Sequence, residues 1–185
     1  MIQEALNYIE SKINEHFRLA YGTDEDIALL NSVVNPDGTL PAENRNKLVL
    51  SLIKMEEETM KPYYQQQRRT KTGEYLQEEL TSRYNIGLLL TSNFDTYNES
   101  LKFIEAGLRY FKENAVFVKT VYADIPASIE NLEVQEARLD YNQMETIWST
   151  LGARYQLSVV YKLRVVGLQT EAKRVSEIDS VKVKE

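Results

Sequence analysis

The chain has 185 residues, of which 43% are hydrophobic and 27% charged, and it carries a formal net charge of -6. That length fits one domain with a sizeable core, and that charge speaks against broad binding to a phosphate backbone. The absence of cysteine excludes a disulfide framework, thiol catalysis and cysteine-bound zinc.

At the start, Ile2, Leu6, Ile9, Ile13, Phe17 and Ala20 recur at three- and four-residue steps, which predicts an amphipathic helix with Gly22 as its stop. Acids and amides interrupt this stretch and no basic segment precedes it, so it does not read as a signal peptide. No segment approaches the ~20 apolar residues that span a bilayer, and the expectation is folding in the cytoplasm. Ile27 to Val34 reads as a short strand, and "NPDG" at 35–38 as a turn, with Pro36 presetting its φ and Gly38 accepting a positive one. Leu48 to Met55 is apolar at almost every position, the pattern of a strand buried on both faces. Glu56, Glu57 and Glu58 then lead outward. Residues 60–79 are polar and aromatic without steady periodicity and predict a long loop or an extended hairpin around Gly73.

Tyr84, Ile86, Leu88 and Leu90 alternate as a strand. "TYNE" at 96–99 is a capping-box pattern, opening a helix with Tyr97, Leu101, Ile104, Leu108 and Phe111 on one stripe. Val116 to Tyr122 reads as a strand broken by Asp124 to Ser128, and Leu132 and Val134 suggest another. "DYNQ" at 140–143 is a second capping box, before a short helix with Tyr141, Met144, Ile147, Trp148 and Leu151 on its apolar face and Gly152 at its end. In the strand that follows, Leu157, Val159, Tyr161, Leu163 and Val165 share one face. Ser158, Lys162 and Arg164 share the other with Val160 and Val166. Beyond Leu168 a polar, loosely held tail is expected. The order predicts an α/β (α+β) domain over residues 1–168, a mixed sheet flanked by helices, with the strands at 48 and 157 at its centre and a tail over 169–185.

No catalytic constellation emerges. His16, the only histidine, sits at the edge of the first helix's apolar stripe with no serine or acid fixed beside it by spacing. Glu56, Glu57 and Glu58 could bind a hard cation, but successive residues of a strand point to opposite faces, so a solvated strand exit is the better reading. No Gly-rich phosphate loop follows any strand, and no cofactor or metal is expected. Tyr63 and Tyr64 lie close to Arg68 and Arg69, which could stack on single-stranded nucleic acid. The net negative charge favours a protein interface instead. Lys162 and Arg164 read either as a solvated face or as partners of acidic residues, perhaps on a neighbouring copy. An enzyme built on a carboxylate pair finds no two acids that the sequence places in one cleft.

Four segments carry a resemblance. They are "MIQEALNYIESKIN" at the start, "VNPDGTLPAENRNKLVLSLIKMEEE" at 34–58, "NFDTYNESLKFIEAGLRYFKEN" at 93–114 and "LDYNQMETIWSTLGARYQLSVVYKLRVV" at 139–166. In order and spacing they resemble the tail-terminator (cap) family of phage-tail-like contractile injection systems. The resemblance implies a mixed sheet flanked by helices, no enzyme activity and no cofactor. It also implies a sixfold ring of identical subunits at the baseplate-distal end of tube and sheath, which stops tube growth and anchors the last sheath layer. The partners implied are further copies of this chain and the tube and sheath proteins, with neither nucleic acid nor membrane insertion. The particle would assemble in the cytoplasm and either stay in the cell or be released. A ring needs two unlike surfaces on each subunit, for which Tyr63, Tyr64, Arg68, Arg69, Lys162, Arg164, Glu56, Glu57 and Glu58 are the candidates. The alternative is an adaptor or cargo-loading chaperone of the same machinery.

Overall fold

Leu88, Leu89 and Leu90 are consecutive and all buried. Because a strand sends neighbouring side chains to opposite faces, their sheet must be covered on both sides. A computed structural model of the chain shows how. It describes residues 1–58 and 82–167 together with the strand backbone at 67–69, 75–77 and 173–175. The large sheet contains β1 (Ala28–Leu30), β2 (Lys47–Glu57), β5 (Arg83–Asn93), β6 (Val116–Val118), β7 (Ile129–Glu136) and β8 (Ser158–Gly167) in the order β1-β2-β5-β8-β7-β6. Only the β1–β2 pairing is parallel. The expected mixed sheet is therefore present, but its centre is β5 and β8, with β2 one place nearer the edge. A second sheet joins β3 (Gln67–Arg69), β4 (Tyr75–Gln77) and β9 (Lys173–Val175). β3 and β4 pair antiparallel with Arg69 opposite Tyr75. β9, within the segment expected to be a loose tail, pairs along β4.

Two helices cover the inner face. α1 (Ile2–Tyr21) buries Leu6, Ile9, Ile13 and Phe17 as its spacing predicts, while Ala20 is exposed. Gly22 ends it in the left-handed conformation, φ 63°, which costs glycine no Cβ clash. Against it lie Leu48, Leu50, Ile86, Leu88, Leu90, Tyr161, Leu163 and Val165, with Leu157 and Val159 partly buried alongside. α1 also closes the β1 edge. Asn14 Nδ2 donates to the Ala28 carbonyl at 2.9 Å, and Asn14 Oδ1 accepts from the Ala28 amide at 2.8 Å. Glu10 Oε1 accepts from the Leu30 amide at 2.7 Å. Edge groups that could template another strand are thus satisfied within the chain.

α2 (Tyr97–Glu113) is capped by Thr96, whose Oγ1 accepts from the Glu99 amide at 3.3 Å. The return contact departs from the expected box, since Thr96 Oγ1 donates to the Glu99 carboxylate at 2.9 Å. The helix is also rotated from the predicted stripe. It buries Ser100, Ile104, Gly107 and Phe111 and leaves Tyr97 and Leu101 at 69% and 40% exposure. Gly107 is the cause. A Cβ there would stand 3.0 Å from Leu90 Cδ2 and 3.1 Å from Leu48 Cδ2, so the bare backbone turns this edge of the helix to the sheet.

α3 (Tyr141–Leu151) covers the outer face. Its capping box forms as read, with Asp140 Oδ1 accepting from the Gln143 amide at 2.8 Å and Gln143 Oε1 from the Asp140 amide at 3.0 Å. Trp148 is buried with Val33, Leu89 and Val160, whereas Tyr141 is almost fully exposed. The strand expected over Ile27 to Val34 stops at Leu30, because the chain then crosses to the outer face and buries Val33 there. Likewise the strand expected from Val116 to Tyr122 ends at Val118, where the Val121 and Tyr122 amides turn back onto its carbonyl.

Candidate interaction surface on the outer face of the sheet

α3 is short, and it covers only the upper part of the outer face. β2, expected to be buried on both faces, is buried only from Leu48 to Ser51, and beyond it Leu52 and Met55, opposite Leu88 and Ile86 on the inner face, stand 45% and 55% exposed. The register shifts between Leu52 and Lys54, a bulge that brings Ile53 and Lys54 to the same side of the strand. Gly87 lies opposite, where a Cβ would meet Lys54 Cβ at 3.0 Å and Ile53 Cγ1 at 3.3 Å. The bulge and the glycine together hollow the face beside α3. The resulting groove has a volume of about 460 Å³. Ile53, Gly87, Ala137, Ile147, Leu151 and Val160 line it, and Lys54 and Lys162 stand at its rim.

Two cross-strand rows continue the face away from α3. Pairing sets Gln135, Lys162, Gly87 and Lys54 in one row. It sets Glu133, Arg164, Asn85 and Glu56 in the next. Arg164 grips Glu58 with both prongs of its guanidinium, Nε to Oε2 at 2.9 Å and Nη2 to Oε1 at 3.3 Å, and Nη1 reaches Glu133 at 3.4 Å. The paired geometry holds the Glu58 carboxyl below its usual range, chiefly through the hydrogen bonds from Arg164. Glu56 pairs with Lys54 at 2.7 Å. Glu57 is exposed.

The acidic partners of Arg164 are thus residues of its own chain, while Lys162 is exposed and carries no ion pair among the described residues. Glu56 and Glu58 share the outer side without converging on one point, since each is drawn to a different cation. Tyr63 and Tyr64 lie outside the described residues, and Arg68 and Arg69 are described only as backbone of β3. Sequence reasoning missed the groove itself. Its signal was Gly87 in the middle of an otherwise alternating strand, a known mark of a bulge or close approach.

No group of three histidine, aspartate or glutamate residues placed to hold a metal ion occurs among the described residues. His16 is half-buried against the Tyr110 ring at 5.1 Å between centroids, a packing role. Among the described residues no helix is long and apolar enough to cross a membrane.

Residues 4–178 match the model of the Pvc16 N-terminal domain. The chain belongs to this family. Two solved structures share the fold seen here. One is the cryo-EM structure of the anti-feeding prophage cap, which terminates its tube, at 14% identity and TM-score 0.56 over 97% of this chain and 60% of that one. The other is the sheath/tube terminator of an extracellular contractile injection system, PVC, in its extended state, at 15% identity and TM-score 0.55 over 100% of this chain and 64% of that one. The chain therefore spans less than two thirds of either relative's length. No curated protein matches it.

Proposed function

We propose that this chain is the structural terminator of a contractile injection system, a cap that closes the end of the tube and its sheath. The observation that carries the proposal is the likeness of essentially the whole chain to two proteins that terminate such tubes. Six copies form a closed ring, the ring meets the tube's last layer, and it offers the next tube subunit no copy of that layer. Stopping growth in this way requires complementary shape and no chemistry. The ring also anchors the last sheath layer. Assembly takes place in the cytoplasm, and the finished particle carries the cap when it is released.

Polymerising purified tube protein with and without this chain tests the proposal, with tube lengths and end structures read by electron microscopy. The expected result is a narrow length distribution with a sixfold ring on one end. Tubes of unchanged, broad length and no complex with the tube overturn it. An adaptor or cargo-loading chaperone would instead pull down an effector and leave tube length unaltered.

A further inference from the structure

Two apolar surfaces lie on opposite sides of the sheet, the groove on the outer face and a stripe on α2. Tyr97, Leu101 and Leu108 lie at four- and seven-residue steps on α2, with Glu105 between the last two. On a 3.6-residue helix these four residues share a sector of about 80°. Tyr97, Leu101 and Glu105 of this sector are exposed, and Leu108 at its inner border is half-buried against the core, because Gly107 turned a different edge of the helix to the sheet. It is apolar with one carboxylate. The groove is largely apolar, and of the two ammonium groups at its rim Lys54 is paired with Glu56 while Lys162 has no ion pair among the described residues. α2 lies on the inner face and the groove on the outer face, so one molecule cannot join them. A second copy can.

We infer that the Tyr97–Leu101–Leu108 stripe of one copy docks into the groove between α3 and the sheet of the next copy, with Glu105 meeting Lys162. The inference rests on the reading that copies of this chain assemble head to tail. The contact is heterologous, pairing unlike surfaces, and repetition with the right rotation closes a ring. It uses the helix-in-groove mode, in which apolar anchors at helical spacing enter a cleft. A cleft of about 460 Å³ falls within the roughly 300–1,000 Å³ that binding clefts span. Glu105 is free to turn toward the partner, since its bond to Arg109 is an exposed pair at 3.2 Å, and such pairs hold little energy. The charged rows beyond the groove supply the polar rim that surrounds an apolar interface centre. Strand addition at β1 is not the route, because Asn14 and Glu10 already occupy that edge.

The chain contains no cysteine, which makes cross-linking clean. Leu101→Cys on the stripe and Thr150→Cys on α3, where Thr150 lines the groove, are made as separate full-length variants, checked for native circular dichroism, mixed, assembled on tube protein and oxidised. The expected product is a disulfide-linked dimer from the mixture and none from either variant alone. In parallel, Glu105→Lys or Lys162→Glu alone lowers the fraction assembled by about fivefold, and the two changes together in one chain restore it. Rings that form normally, with no cross-link and no response to charge reversal, overturn this docking and leave the terminator reading intact. Leu101→Cys or Thr150→Cys protein bridging to a cysteine placed on the tube protein, and not to a second copy, also overturns it by giving the surface to the tube. Wild-type protein that forms no ring even on tube ends removes the self-assembly reading and this docking with it.

Discussion

Arg164 and Glu58 are 106 residues apart in the chain and meet through two hydrogen bonds on the outer face. Because the folded state holds the Glu58 carboxyl below its ordinary value of 4.5, its contribution to stability is complete above that pH. It is lost as the pH falls through the lowered folded value. The unfolding free energies of the wild type and Glu58→Gln should therefore differ at neutral pH and converge in acid, as denaturant titrations at several pH values would read. Asn14 offers a sharper test of a buried polar group. It serves both backbone groups of Ala28 from within the core, so Asn14→Ala should cost about 1–3 kcal/mol, measured as a lower denaturation midpoint. Neither pair could be found by spacing, because each joins residues that the fold alone brings together.

Among the elements, legibility followed the kind of signal. α1 and the cap of α3 depend on residues within a turn or two of each other, and both were readable from local pattern. α2 was misread because counting apolar residues ignores space. Ser100 and Gly107 entered the core and Tyr97 and Leu101 stayed outside, since closeness of approach outweighed side-chain hydrophobicity. Gly107 makes this measurable. Alanine there gains helix propensity of about 1 kcal/mol but presses on the ends of two leucine side chains that can give slightly, so Gly107→Ala should be near neutral. Gly107→Val should lose about 1–3 kcal/mol by overpacking, read as a fall in melting temperature. α3 holds the outer face through Trp148, and Trp148→Ala should cost about 3–5 kcal/mol and loosen the groove wall before it disturbs α1 and α2. The groove was the least legible element, since it arises from a bulge in β2, a glycine in β5 and the short reach of α3 acting together.

At the scale of the molecule, the mixed sheet between two layers of helices was visible in the sequence, whereas the strand order was not. β8 reads as an apolar strand wherever it is placed. That it belongs between β5 and β7 follows from pairings with residues as far away as Arg83. On the proposed docking, those pairings govern when a copy becomes competent to join another. A chain that has not yet supplied Ser158 onward lacks the strand that pairs with both β5 and β7, and its β2–β5 and β6–β7 ladders are linked only by α1 packing on both, as at Ala28 and Phe117. No strand bridges their facing edges, and Val160 and Lys162 of the groove do not yet exist. A truncation ending before Ser158 should accordingly give no cooperative thermal transition. On the docking proposed above, a copy therefore offers its neighbour no seat until β8 has been made and has paired with both β5 and β7.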